Sequence, residues 1–242
     1  MIKEKGNRNF SNKMDKNQIA VLIPAHNEAK AIGGLVNEVR RIIPNVFVID
    51  DGSTDNTAEI AQTNGAFVIR HQQCMGKGSA LKTGFSHLKN LPFLAYITMD
   101  GDGQHLPSDI DRFINALERN KKAGIILGKR KIKGTDMPFI RRLTNLSMSI
   151  LISIIALQWI PDSQNGFRAI KKEVIKNMKL ITNHFETETE ILLRASWKGV
   201  KLASVPISTV YQEQKSKIKP ITDTKKFFIM LIKLCISYGR KN

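Results

Sequence analysis

The chain has 242 residues, 42% of them hydrophobic, which gives room for one α/β domain, or one domain with an appendage, around a sizeable core. Lys and Arg number 38 against 21 Asp and Glu, a formal charge of +17 that favours an anionic partner (nucleic acid, an acidic membrane surface or a phosphorylated ligand) and says nothing about fold. Two cysteines, Cys74 and Cys235, lie far apart, match no metal-ligand spacing and read as free buried thiols of a reducing compartment.

Met1 to Gln18 is rich in Lys and Asn and is followed by no long apolar stretch, so residues 1–17 read as a basic disordered arm rather than a signal peptide. Ile19–Pro24 is a short apolar run and the first strand. Ile32, Leu35, Val36, Val39, Ile42 and Ile43 give Glu28–Ile43 a helical period. Val46–Ile49 is the second strand, Thr57–Gln62 a helix, Ala66–Ile69 the third strand and Lys77–Leu88 a helix. Leu91–Met99 is the fourth strand, Pro107–Arg119 a helix with proline suited to its start, and Ile125–Leu127 the fifth strand. This alternation predicts an α/β fold, a mostly parallel, doubly wound sheet with helices on both faces. Beyond it, Met137–Ile160 is mostly apolar, Glu186–Trp197 reads as a helix, and Lys201–Val205 and Ser208–Tyr211 as short strands. Leu143 to Pro161 carries no charge and approaches the roughly 20 residues that span a bilayer, but its Ser, Thr, Asn and Gln point instead to a partly buried helix with an exposed apolar edge. Thr224–Tyr238 reads as a terminal amphipathic helix, either at a membrane interface or covering the core.

Four motifs fall at strand ends, where open α/β sheets form their ligand crevice. Pro24-Ala25-His26-Asn27-Glu28 ends the first strand; Asn27 offers a ligand group or a helix cap. Asp50-Asp51-Gly52-Ser53-Thr54-Asp55-Asn56-Thr57 ends the second, and two adjacent acids after an apolar strand are costly unless they bind something. Gly76-Lys77-Gly78-Ser79-Ala80 opens a helix, with glycines for close backbone approach and Lys77 for phosphate, but lacks P-loop spacing. Asp100-Gly101-Asp102-Gly103-Gln104-His105 ends the fourth; oxygen ligands at this spacing suit Mg²⁺ or Mn²⁺ holding a diphosphate.

In this order, the motifs resemble the nucleotide-sugar half of family 2 glycosyltransferases, which have the GT-A (Rossmann-like) fold. The resemblance implies a donor half (residues 18–110) within a catalytic domain of residues 18–222. It implies donor contacts from Pro24, His26, Asn27, Glu28, Asp50, Asp51, Lys77, Asp100 and Gly101. It further implies metal ligation by Asp102 and Gln104, and catalytic roles for Asp100, Asp102, Arg130 and Arg168. The acceptor half (111–222) looks like the polyprenyl-phosphate, dolichyl-phosphate mannose synthase-like branch at Gly128-Lys129-Arg130, Arg141-Arg142, Asp162-Ser163-Gln164-Asn165-Gly166-Phe167-Arg168, Glu186 to Ala195, Val205-Pro206-Ile207 and Ser216-Lys217-Ile218. Arg130, Arg141, Arg142, Ser163 and Arg168 would then meet the acceptor phosphate. The Gln-x-x-Arg-Trp motif of processive synthases is absent, which argues for transfer of a single sugar.

The residues point the same way. Between positions 129 and 142, Lys129, Arg130, Lys131, Lys133, Arg141 and Arg142 face one acid, Asp136, a composition suited to a phosphate-headed acceptor. A phosphate monoester, with a second pKa of about 6, attacks without a general base. A sugar or protein hydroxyl needs one, which Glu186, Glu188 or Glu190 can supply, so this acceptor stays open. The terminal segment (223–242), with Lys226, Lys233 and Arg240 seven apart, suits an anionic membrane surface. The resulting expectation is a metal-dependent, inverting hexose transfer from a nucleotide sugar to a polyprenyl phosphate, peripheral at the cytoplasmic face of the membrane, with the oligomeric state left open. The rival class is a non-catalytic basic protein for membranes or nucleic acid. A 7% aromatic content and no RNA-binding motif argue against nucleic acid.

Overall fold

The computed structural model describes residues 14–130, 139–208 and 220–239, with the backbone alone at 139–142, 220–226 and 237–239. Strand β1 (Ile19–Ala25) is buried along its whole length and pairs in parallel with β2 (Asn45–Asp50) and β4 (Ala95–Thr98); β3 (Phe67–Arg70) continues the parallel set beyond β2. Strands that are apolar on both faces must be covered on both. On one face, α1 (Ile32–Arg40) inserts Ile32, Leu35, Val36 and Val39, and α4 (Ile110–Arg119) inserts Ile110, Phe113, Ile114 and Leu117. On the other, α3 (Lys77–Leu88) inserts Leu81, Phe85 and Leu88. These are the spacings of a helix with one apolar stripe.

The sheet has seven strands in the order β3-β2-β1-β4-β6-β5-β7. Strands β5 (Ala123–Arg130) and β7 (Lys201–Ile207) are parallel to each other, and β6 (Arg168–Lys171) runs antiparallel between β4 and β5. The sequence reading missed β6 because four residues with a cation at each end have no strand pattern of their own; their neighbours define the strand. Strands β1, β2, β4 and β5 therefore end at one edge, where the motif loops gather. Helices α5 (Phe139–Ala156), α7 (Glu186–Trp197) and α8 (Pro220–Gly239) contribute to the core cluster on the α3 side. Among the described residues no helix is long and apolar enough to cross a membrane. On α8, Phe227, Met230, Leu231 and Leu234 are buried while Phe228, Ile229, Ile232 and Ile236 are exposed, so the helix covers the core and still shows an apolar side to solvent.

Some boundaries moved for physical reasons. Residues 1–13 of the expected arm and 209–211 of the expected last strand lie outside the described residues, and Lys16–Gln18 form a short 3-10 helix. Helix α1 starts at Ile32 rather than Glu28, because Asn27 adopts φ 56° and the next two N–H groups bond to side chains of the neighbouring loop. Both cysteines are free, and both are exposed rather than buried.

Two expected acceptor residues belong to the framework. Arg168 is 1% exposed; it donates from Nε to the Asn165 carbonyl (2.8 Å), from Nη1 to that of Glu188 (2.6 Å) and from Nη2 to that of Ser163 (2.9 Å). Burial depresses its guanidinium below the ordinary value, opposed by the carboxylates of Glu188, Asp162 and Asp100. Such a side chain joins the 163–165 turn to α7, a framework role beside the catalytic and acceptor roles that the sequence suggests. Ser163 is likewise 1% exposed, its hydroxyl 3.3 Å from that of Ser149. Arg168→Met strands three buried carbonyls, and we expect it to lower unfolding free energy by about 3 kcal/mol or more, measured by urea denaturation; a loss under about 1 kcal/mol would contradict the framework role.

Candidate active site

The β1–α1 loop and the loop between β2 and α2 (Thr57–Thr63) are laced into one unit. The Asn27 N–H donates to Ser53 Oγ (2.9 Å) and its Oδ1 accepts the Thr54 N–H (2.8 Å). The Glu28 N–H reaches Thr57 Oγ1 (2.8 Å), the Ala29 N–H reaches Asp55 Oδ2 (3.2 Å), and His26 Nδ1 lies 2.9 Å from the Asp51 carbonyl oxygen. Asn27 thus clamps the two loops and does not cap α1. Its side chain is exposed and those of His26 and Glu28 are partly so, whereas Pro24 is buried in β1. Gly101 is buried against the Pro24–Ala25 backbone.

The two acids expected to touch the donor are inside the protein. Asp51 is 3% exposed and is saturated by the 71–76 loop: Oδ1 lies 2.7 Å from His71 Nδ1 and accepts the Met75 N–H (2.9 Å), while Oδ2 accepts the Gly76 N–H (2.7 Å) and the Cys74 thiol (3.4 Å). Burial pushes its carboxyl up, but these donors together hold it below the usual range. Asp50 is fully buried; one oxygen accepts from Ser53, and the other is 3.1 Å from Arg70 Nε, an ion pair that leaves it without a hydrogen bond. Both carboxylates are thus engaged within the protein, where they help to build the crevice wall.

At its centre, Lys77 Nζ lies 2.6 Å from Asp100 Oδ1 and 3.2 Å from Glu188 Oε2, its side chain 17% exposed. Burial works against the ammonium, yet the two carboxylates raise its pKa above the ordinary value. Burial likewise pushes Asp100 up, and Lys77, with help from His105 and Arg168, pulls it down to about 2. Gly166 makes the meeting sterically possible. A methyl group there would lie 2.6 Å from Asp100 Oδ1, 2.8 Å from Glu188 Oε1 and 2.9 Å from Lys77 Nζ. The glycines beside Lys77 allow the close backbone approach expected of them, and what approaches is the protein's own 183–187 segment. A methyl at Gly78 would overlap Thr187 Oγ1 and lie 2.6 Å from the His184 carbonyl, and the Ser79 N–H donates to the Asn183 carbonyl (2.9 Å).

The turn after β4 carries Asp102 and Gln104, both partly exposed; Asp102 Oδ1 accepts the Gln104 N–H (3.0 Å). His105 Nδ1 accepts the Asp100 N–H (3.2 Å), its ring 5.1 Å from that of Phe167. Burial lowers the imidazole pKa against the opposing pull of Asp100 and Asp102. Among the described residues no three His, Cys, Asp or Glu side chains converge as a metal cage. Mg²⁺ usually takes one or two carboxylates and draws its other oxygens from phosphates and water, so Asp102 and Gln104 fit a site shared with a diphosphate.

On the acceptor side, Arg130 pairs with Asp162 through Nε–Oδ2 and Nη2–Oδ1, each 2.8 Å, a bidentate fork. The side chains of Arg141 and Arg142 lie outside the described residues. Of the three glutamates of α7, Glu190 accepts from Ile181, Thr182 and Arg194, and Glu188 alone joins Lys77 and Asp100. In sequence alone Glu188 is equivalent to Glu186 and Glu190, and nothing there marks Gly166 or Asp162 as partners of Lys77 or Arg130. Successive Glu-x-Glu residues diverge around a helix, so helix direction was the missing signal.

The pKa shifts carry a sign. A depressed carboxylate such as Asp100 adds stability above its unfolded-state value of 3.8, lost as pH falls towards about 2. The raised Lys77 adds stability below its ordinary 10.5, lost at higher pH. In Lys77→Met, burial acts on Asp100 without its main counter-charge, so its titration by carboxyl NMR should move up from about 2 past the ordinary value. An unchanged midpoint would contradict the cluster.

The family model for glycosyl transferase family 2 matches residues 20–179. A UDP-N-acetylglucosamine–dolichyl-phosphate N-acetylglucosaminyltransferase from Methanococcus voltae is 30% identical over 217 residues, covering 81% of this chain and 86% of that protein. A dolichol-phosphate mannosyltransferase from Pyrococcus furiosus is 30% identical over 233 residues, covering 89% of this chain and 64% of its own. In fold, the chain resembles glucosyl-3-phosphoglycerate synthase from Mycobacterium tuberculosis, solved with Mn²⁺, UDP and phosphoglyceric acid, with a TM-score of 0.71, 18% identity, and coverage of 92% of this chain and 78% of that one. With this fold, and with similarity that runs along four-fifths of its length, the chain belongs to glycosyl transferase family 2 and is a glycosyltransferase.

Proposed function

We propose that this glycosyltransferase moves one hexose from a nucleotide sugar to a polyprenyl phosphate, with inversion and with bound Mg²⁺ or Mn²⁺. The observation that carries the reading is the similarity, over four-fifths of the chain, to a transferase named for a dolichyl-phosphate acceptor, in a chain whose crevice holds the Lys77, Asp100 and Glu188 cluster. Support for the metal comes from similar folds solved with UDP and Mn²⁺ or Mg²⁺. Bound at Asp102 and Gln104, the ion supplies Lewis-acid stabilisation of the diphosphate leaving group. Lys77 sets a fixed positive charge at the donor, and Asp100, ionised at every physiological pH, orients it. His26, Asn27 and Glu28 line the nucleoside side of the crevice.

The acceptor phosphate meets Arg130, with Arg141 and Arg142 in the first turn of α5, and attacks the anomeric carbon opposite the departing diphosphate. As a dianion it needs no proton acceptor. Two of the three α7 acids support this: Glu190 is committed to the 181–182 backbone and Glu188 to Lys77, which leaves neither poised as a base for a hydroxyl. A polyprenyl phosphate resides in a bilayer, so the enzyme works as a peripheral protein at an anionic membrane surface, on the cytoplasmic side where nucleotide sugars are available.

Labelled UDP- and GDP-sugars incubated with polyprenyl phosphate and extracted into organic solvent should place label in the lipid phase. Label that stays aqueous, bound to a saccharide or protein, would instead support a hydroxyl acceptor. Asp102→Ala should reduce lipid-phase transfer roughly a hundredfold or more, with an unchanged circular-dichroism melt. Full activity in that variant would remove Asp102 from the site.

A further inference from the structure

Phe185 immediately precedes α7, is 40% exposed and belongs to neither hydrophobic core cluster. A lone exposed phenylalanine on an outer surface means little, so its position decides. The Lys77 ammonium lies over its ring, 5.9 Å from the centroid, and this is the ammonium that Asp100 and Glu188 share. The ring is therefore a piece of crevice wall at the charged centre of the site. We propose that Phe185 is the platform for the transferred sugar: its ring stacks on the C–H face of a hexopyranose, and it determines how the sugar, as distinct from its nucleotide, is held. The inference rests on the nucleotide-sugar reading of the crevice and adds to it the residue that recognises the hexose.

The chemistry of the neighbours selects this occupant. An aromatic face is electron-rich, which is why an ammonium settles over it. The same field attracts the C–H groups on one face of a pyranose, whose hydrogens are made partly positive by the oxygen on each carbon. The hydroxyls at the rim of such a sugar are donors, and the ionised carboxylates of Asp100 and Glu188 are acceptors. An isoprene chain would use the ring and waste the charges, whereas a pyranose uses both. The platform is also fixed in advance. The Asn183 carbonyl accepts the Ser79 N–H (2.9 Å), and the Lys82 ammonium donates to the Asn183 side-chain oxygen. The Thr182 N–H and hydroxyl donate to Glu190 (3.0 and 2.6 Å), and the Thr187 N–H donates to the His184 carbonyl (3.2 Å). A methyl group at Gly76 would overlap His184 Nδ1, so the segment lies tight against the start of α3. Phe185 is thus carried on backbone held from α3 on one side and from α7 on the other, and a ring so placed loses little freedom on meeting a ligand.

Calorimetry in the presence of Mn²⁺ compares each nucleotide sugar with its own diphosphate: UDP-glucose and UDP-N-acetylglucosamine against UDP, and GDP-mannose against GDP. Phe185→Leu keeps an apolar side chain and removes the ring, and Phe185→Tyr keeps the ring. The leucine variant should bind the nucleotide sugar roughly fivefold more weakly or worse, with the diphosphate within about twofold of wild type, and the tyrosine variant should restore the sugar affinity. Equal losses for sugar and diphosphate overturn the proposal and make the ring a prop for Lys77. An unchanged sugar affinity in the leucine variant, or no recovery with tyrosine, overturns it as well. A wild-type chain that binds none of the three nucleotide sugars removes the donor reading and the platform together. Because no acceptor is needed, the platform and the acceptor class fail separately. A sugar-specific loss in a protein whose label stays aqueous keeps the platform and removes the lipid acceptor. Label in the lipid phase with unchanged sugar affinity in Phe185→Leu does the reverse.

Discussion

The site depends on one ammonium placed between two carboxylates. Lys77 comes from the start of α3, Asp100 from the turn just beyond β4 and Glu188 from the first turn of α7, which lies far along the chain from the other two. Two carboxylates this close repel each other in a partly desolvated crevice. The lysine converts that repulsion into a cross-link, and it holds Asp100 ionised with a pKa of about 2. The backbone must also come close, which Gly166 and Gly78 permit by having no side chain. Arg168 supports the arrangement from beneath, its guanidinium spread over the carbonyls of Ser163, Asn165 and Glu188.

A division of labour follows among the acids and bases. Those that are buried build walls: Asp51 shapes the 71–76 loop, Asp50 meets Ser53 and Arg70, and Glu190 fixes the 181–182 backbone. Asp102, Gln104, His26 and Glu28 remain partly exposed. A buried carboxylate saturated by backbone N–H groups is an expensive way to meet a ligand and an effective way to set a loop. The crevice is thus pre-shaped by groups that do not themselves reach into it.

Much was legible in the chain. Apolar runs closed by Pro, Gly and Asp marked β1, β2 and β4, because a strand buried on both faces must be apolar throughout and its ends must turn. The three-and-four spacing of α1 and α4 came from the same demand on one face. Strand β6 was not legible, since four residues flanked by Arg168 and Lys171 become a strand by pairing with β4 and β5. The burial of Arg168 was not legible for a related reason: a cation in a basic half looks like a surface anion binder until its packing is known.

The motif order, the cationic excess and the strand–helix alternation were determined by the sequence alone, because they follow from hydrophobic period and residue chemistry, which are local. The tertiary structure decided which of the charged groups are paired inside and which face the crevice. It chose Glu188 over Glu186 and Glu190, set two glycines against the chain's own 183–187 segment, and put the apolar edges of α5 and α8 on one side of the sheet. The reason is the same in each case: a side chain's charge and reach are written in its residue type, but its partners and its exposure depend on elements that may lie a hundred residues away, as Lys77 and Glu188 do.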